Sequence, residues 1–242
     1  MLKIENVEVA GWEAAIRGMR NPKNSWAKSD SHWDYVNQGP EYLTVAHFDD
    51  ADFNIGPNDK KLMSTLRNAG TDHRKFMRMI TVYLDITAPL YWWKEFDTYK
   101  VGTVANSCST MHKIAAKEFT LEDFSCEHLC DDELELLKEI INRLNMNRIV
   151  FIAKDDKRVD QYSVMSDECY AKYKKKLWWQ MIQLLPSSYN QKRTVMLNYE
   201  VLANIYKSRR HHKLDEWHTL CDWIESLPYS ELITGKEEKA DV

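Results

Sequence analysis

The stretch best equipped for chemistry is Asn106-Ser107-Cys108-Ser109-Thr110, an amide, hydroxyls and a thiol lying behind the aromatic segment "TAPLYWWKEF". Such a run can wall a polar pocket, its amide and hydroxyls hydrogen-bonding a ligand. It can equally cap a helix, because Asn, Ser and Thr side chains accept from exposed N–H groups at helix starts. A second candidate is Arg209-Arg210-His211-His212, whose guanidinium groups could hold an anion bidentately. Near a helix end the same residues would instead offset the helix dipole. A third, Cys126-Glu127-His128-Leu129-Cys130, offers metal donors, but structural zinc takes four ligands, usually in two spaced pairs. With no second pair in evidence, no metal centre is expected. G-x-G-x-x-G, Walker, H-E-x-x-H and G-x-S-x-G patterns do not occur, so dinucleotide, triphosphate, zinc-protease and hydrolase readings lack support.

Composition bounds what these residues can be mounted on. The chain has 242 residues, 44% hydrophobic and 12% aromatic, enough to bury a sizeable core, and nothing divides it cleanly, so one domain over 1–242 is expected. Thirty-three basic residues against 37 acidic give a formal charge of −4, which predicts no general attraction to nucleic acid. No window approaches 18 consecutive apolar residues, so no membrane span is expected. The opening "MLKIENVEVAGWEAAIRGMR" lacks the pattern of a secretion signal. Five cysteines without framework spacing suit a reducing compartment, and the protein is expected to be cytoplasmic.

The positioning elements follow from periodicity. Leu2 to Val9 alternates as a strand does, and Trp12 to Met19 carries helical spacing. Asn21 to Asp50 has no sustained period and reads as a long loop. Asn58 or Asp59 could cap a helix running to about Asn68. Phe76 to Ile86 reads as a strand, and Pro89 fits the first turn of a helix bearing Tyr91, Trp92 and Trp93. Helices are predicted from Asp131 through Leu144, over Tyr170–Leu185, Thr194–Lys207 and Leu214–Leu227. The sum is a helix-dominated α+β protein without the strand–helix alternation of a doubly wound sheet.

Taken together, His73, the strand after it, "TAPLYWWKE", "TYKVGT" and "NSCSTMH", then Leu185-Pro186, Asn198, Asn204 and Arg209, resemble the flavin-dependent thymidylate synthases in order and spacing. The resemblance covers roughly residues 70–112 and 180–226. It implies a helix-rich single domain with a small antiparallel sheet, assembled as a homotetramer with pockets at subunit boundaries. It also implies FAD, a folate one-carbon donor and methylation of dUMP to dTMP. Carried over position by position, it gives catalytic roles to Ser109 and Glu95. Flavin contacts fall to His73, Lys100, Asn198 and Asn204, and nucleotide contacts to Arg209, Asn106 and Ser109.

The chain departs from that family where the chemistry is densest. Glu95 stands where the family has Gln, and its Arg-His-Arg triplet reads Thr98-Tyr99-Lys100. Its Asn-Glu-x-Ser-x-Arg-Tyr segment becomes Asn106 to His112, keeping only Asn106 and Ser109 in kind, and Ile182 stands for a phosphate-binding Arg. An alkyl side chain cannot supply charge-assisted bonds to phosphate. Weak or absent flavin binding is therefore expected, and the alternative reading is a non-catalytic protein that binds a nucleotide or related small molecule.

Overall fold

The computed structural model describes residues 2–35, 51–153 and 165–235. In chain order the elements are β1 (Lys3–Ala10), α1 (Trp12–Arg20), β2 (His32–Tyr35), β3 (Ala51–Asn54), α2 (Pro57–Asn68), β4 (Thr81–Pro89), α3 (Leu90–Phe96) and β5 (Val104–Ser107). They continue with α4 (Thr110–Lys113), α5 (Asp131–Ile152), α6 (Asp167–Leu184), β6 (Asn190–Asn198), α7 (Tyr199–Arg209), α8 (Asp215–Glu225) and α9 (Glu231–Thr234). One sheet has the order β1-β4-β6-β5, and β2 and β3 form an antiparallel ribbon in which Trp33 faces Phe53. This is a helix-rich α+β fold with small antiparallel sheets. Among the described residues no helix is long and apolar enough to cross a membrane.

The chain divides into two compact units. The first comprises Met1–Glu5, Asp85–Thr98 and Ala105–Val195. Here α5 opens on Asp131, Asp132 and Glu133, whose charges favour the positive end of the helix dipole. Leu137, Ile141 and Leu144 recur at helical spacing and pack with Phe119, Phe124 and Met181 of α6 in one core cluster. The aromatic residues of α3 form a second knot. Trp92, Trp93 and Phe96 are buried with ring centroids 4.9 to 5.2 Å apart. The Trp93 indole donates to the Gln191 carbonyl at 2.9 Å, and the Arg193 guanidinium lies 4.1 Å from the centre of the Trp93 ring. Full burial of each such ring is worth about 1.5–3 kcal/mol, so α3 is fastened to the first half of β6 by its apolar side chains.

The second unit comprises Asn6–Leu84, Tyr99–Val104 and Met196–Val242. Its core includes Trp12, Met63, Ile80, Leu202, Ile205, Trp217 and Ile224. The Trp12 ring meets Tyr199 and Tyr229 edge-on at 5.2 and 5.3 Å. A buried ion pair joins Arg20 to Asp59 at 2.6 Å. Arg20 also donates to the carbonyls of Ser25 and Lys28, while Asp59 accepts from the hydroxyls of Ser29 and Ser31. Gly11 precedes α1 at φ +97°, where an added Cβ would stand 2.1 Å from the Met79 carbonyl oxygen. Only glycine allows that approach.

Several expected boundaries are corrected. Thr194–Lys207 is not one helix: the chain stays extended to Asn198, with Val195 and Leu197 buried on one face, and turns helical at Tyr199. Residues 74–78 form a 3-10 turn, so the predicted strand begins at Thr81, not Phe76. Pro89 precedes α3 as its extended N-cap. Gly56 holds the N-cap position of α2, and Asp59, inside its first turn, receives the Arg20 pair instead of capping. Within the expected long loop lie 3-10 turns at Asn21–Lys23 and Trp26–Lys28 and the strand β2. The rest of that stretch, 36–50, lies outside the described residues.

Candidate functional site

The candidate residues fall into two groups, one in each unit. In the second unit they gather on α7. Asn198 ends β6 and caps the helix: its Oδ1 accepts from the Val201 N–H at 3.0 Å, and its Nδ2 donates to the Gly102 carbonyl at 3.5 Å. Both ends of that amide are therefore used inside the protein. Asn204, exposed, accepts from an Arg74 terminal nitrogen at 3.2 Å. Glu200, one turn before Asn204 on the same face, is buried and accepts from Arg74 and Arg78. His73 is exposed on a turn, and Lys100 is exposed just before the turn at 101–102.

Arg209, the last residue of α7, is half-buried and held from two sides. Its Nε donates to the Tyr99 hydroxyl at 2.9 Å. The centre of its guanidinium lies 4.8 Å from the Trp217 ring centroid and 5.7 Å from that of Tyr99. The two rings meet edge to face at 6.1 Å, and Trp217 is fully buried. A guanidinium held over an indole ring keeps its charge while giving up rotational freedom.

In the first unit, Ser109 lies on the wall of an open cavity of ≈ 290 Å³. Thr87, Cys108, Lys117, Asp123, Tyr189 and Lys192 share that wall. Backbone bonds fix the segment: the Cys108 N–H donates to the Lys192 carbonyl at 2.9 Å, and the Cys108 carbonyl accepts from Gln191 Nε2 at 2.8 Å. The Ser109 hydroxyl caps the four-residue α4 by accepting from the His112 N–H at 3.0 Å. Asn106 is exposed on β5, and Glu95 is half-buried on α3.

Charge in this cavity is balanced pair by pair. Donating a hydrogen bond to Asp123 raises the Lys117 pKa, and donating one to Asp85, at 3.0 Å, raises that of Lys192. Both lysines are therefore cationic at neutral pH, each beside a carboxylate. Burial, reinforced by the Asp123 charge, pushes the Tyr189 phenol up, so it stays protonated as a donor. An anion entering here competes with Asp123 and Asp85 for the two cations.

The sequence pointed to Ser109, Asn198 and Arg209 by their order, but it did not reveal Tyr99, Trp217, Arg74 or the lysine wall. Tyr99 was legible only as a departure from a cationic triplet. Trp217 looked like an ordinary helix residue, and nothing local in the sequence joins residues 99, 209 and 217. Cys126 is half-buried and Cys130 exposed, and among the described residues no group of three His, Cys, Asp or Glu could hold a metal ion.

The fold is that of the flavin-dependent thymidylate synthases. The chain superposes on flavin-dependent thymidylate synthase ThyX from Helicobacter pylori, solved with FAD and dUMP, with a TM-score of 0.60 and 15% identity over 96% of this chain and 98% of that one. A second structure of the same enzyme gives 0.58 at 15% identity. The UMP/dUMP methylase PolB from Streptomyces cacaoi, bound to 5-Br dUMP, gives 0.50 at 10% identity over 93% of this chain and 89% of that one. No protein-family model matches the sequence, and no curated protein matches it.

Proposed function

We propose that this chain binds a uridine-type nucleoside monophosphate on a thymidylate synthase-like fold, with Arg209 as the principal contact to the phosphate. The observation that carries this reading is the Arg209 guanidinium, held by Tyr99 and lying over the Trp217 ring at the end of α7. A held guanidinium loses less freedom when it takes up a phosphate bidentately. Ser109, on its own wall with Lys117 and Lys192, is the second candidate contact and offers neutral hydrogen bonding worth roughly 0.5–1.5 kcal/mol.

FAD fits these residues poorly. The Asn198 amide is spent on the Val201 N–H and the Gly102 carbonyl, Asn204 is engaged by Arg74, and Arg74 and Arg78 both pair with Glu200. Lys100, the only cation in Thr98-Tyr99-Lys100, supplies a point charge without a fork. The reading is thus of a nucleotide binder without tightly held flavin. A second reading, methylation of dUMP to dTMP with reduced flavin and a folate donor, is favoured by the near full-length likeness to ThyX.

Titration calorimetry with dUMP and deoxyuridine tests the proposal, with a visible spectrum of the desalted protein. Colourless protein that binds dUMP is expected. Arg209→Ala should weaken dUMP by more than tenfold, about 1.4 kcal/mol, and leave deoxyuridine unchanged. Wild-type protein that ignores dUMP rejects the reading, whereas stoichiometric yellow flavin replaces it with the second.

A further inference from the structure

The Arg209 side chain is half-buried at a helix end, where a long flexible side chain would ordinarily sample several rotamers. Two contacts with different geometry remove that freedom. The Tyr99 hydroxyl takes the Nε proton at 2.9 Å, which fixes the direction of the guanidinium within its plane. The Trp217 ring, its centroid 4.8 Å from the guanidinium centre, lies against the group and limits its swing. Trp217 is in turn immobile, being fully buried with Tyr99 and His212 edge-on at 6.1 and 6.2 Å. With Nε engaged by Tyr99 and the Trp217 ring alongside, the orientation of the terminal Nη1–Nη2 edge is restricted. That edge is the one that matches two oxygens of a phosphate.

We propose that Tyr99 is a positioning residue for phosphate recognition, acting through Arg209, and that the site it serves selects a phosphate-bearing ligand over the corresponding nucleoside. The inference rests on the nucleotide-binding reading above. It assigns the tyrosine's hydroxyl, not its ring, the decisive part: the Trp217 contact survives without the hydroxyl, but the direction that the Nε–H bond imposes on the fork does not.

Tyr99→Phe separates the two, since it keeps the ring and deletes the acceptor. Calorimetry on the full chain compares wild type and Tyr99→Phe with dUMP and with deoxyuridine, and 15N NMR follows the Arg209 Nε–H signal. In wild type that proton should exchange slowly, and in Tyr99→Phe it should broaden into the solvent-exchanging population. Tyr99→Phe should weaken dUMP about tenfold and leave deoxyuridine within twofold, a split that a merely structural role would not produce. Unchanged dUMP affinity in Tyr99→Phe, or equal weakening of both ligands, overturns the role of Tyr99 while the nucleotide reading stands. Wild-type protein that binds no dUMP, even with a protected Nε–H, overturns the nucleotide reading and this role with it.

Discussion

The polar groups of the second unit and those of the Ser109 wall are held in opposite ways. Around α1, α2 and α7 the buried polar side chains close on partners inside the protein: Arg20 on Asp59, Glu200 on Arg74 and Arg78, Asn198 on the Val201 N–H. On the Ser109 wall the backbone is pinned through Cys108, but the side chains of Cys108 and Ser109 are exposed. Groups of the first kind contribute stability and geometry, because leaving one unpaired when buried costs about 1–3 kcal/mol. Those of the second kind contribute little to folding and can meet a ligand. The contrast also ranks the candidate residues: Asn198, which the family resemblance assigns to flavin, behaves here as architecture.

The sharpest way to break this comparison is at Asp59. Burial would raise its pKa, but hydrogen bonds from Ser29, Ser31, Arg20 and the Asp30 N–H outweigh that and hold it below its ordinary value of 3.8. Asp59→Ala leaves Arg20 buried and unpaired, and should cost about 3–5 kcal/mol in urea denaturation at pH 7. Because the folded-state pKa is depressed, the carboxylate's contribution is complete above the unfolded value and is lost as pH falls through the folded one. The gap between wild type and Asp59→Asn should accordingly be constant at neutral pH and shrink below about pH 4. A gap that grew on acidification would refute the assignment.

Smaller effects sharpen the same contrast. Asn198→Ala removes a helix cap and should lower stability by about 1 kcal/mol, seen as a lower melting temperature. Ser109→Ala, at the exposed cap of a single turn, should cost only about 0.5 kcal/mol or less and act instead on nucleotide affinity. If Ser109→Ala proves the more destabilising of the two, the division between architecture and ligand wall fails.

Legibility in the sequence followed the same line. Helices α5, α6 and α8 were readable because Leu137, Ile141 and Leu144, or Trp217, Leu220 and Ile224, repeat at a single period over a long run. β6 was not, because its alternation at Val195 and Leu197 runs without punctuation into the buried residues of α7. A helical window laid across the junction absorbs both. Asn198 marks the change, yet its capping role shows only once the Val201 N–H is located. The candidate site was legible as an ordered set of residues and not as a set of contacts. The Arg209 clamp draws on positions 99 and 217, and long-range contacts of that kind leave no local signal. Asp59 illustrates the reverse error: its type suggested a cap, and a buried arginine 39 positions earlier claimed it.

The turn at Gly102 has a mechanical consequence. Gly102 sits at φ +79°, and a Cβ there would stand 2.8 Å from Asn198 Nδ2, so the segment passes close against the start of α7. Three residues earlier, Tyr99 grips Arg209 at the other end of the same helix. An 11-residue helix, about 16 Å long at 1.5 Å per residue, is thereby braced at both ends by one short stretch of chain. Such a brace behaves as a strut and tie: the separation of the two grips is set by the rigid helix, and the tie between them has a fixed number of residues. Lengthening or shortening that stretch by one residue would be felt at both joints together, so the start of α7 and the direction of its terminal arginine form one kinematic element.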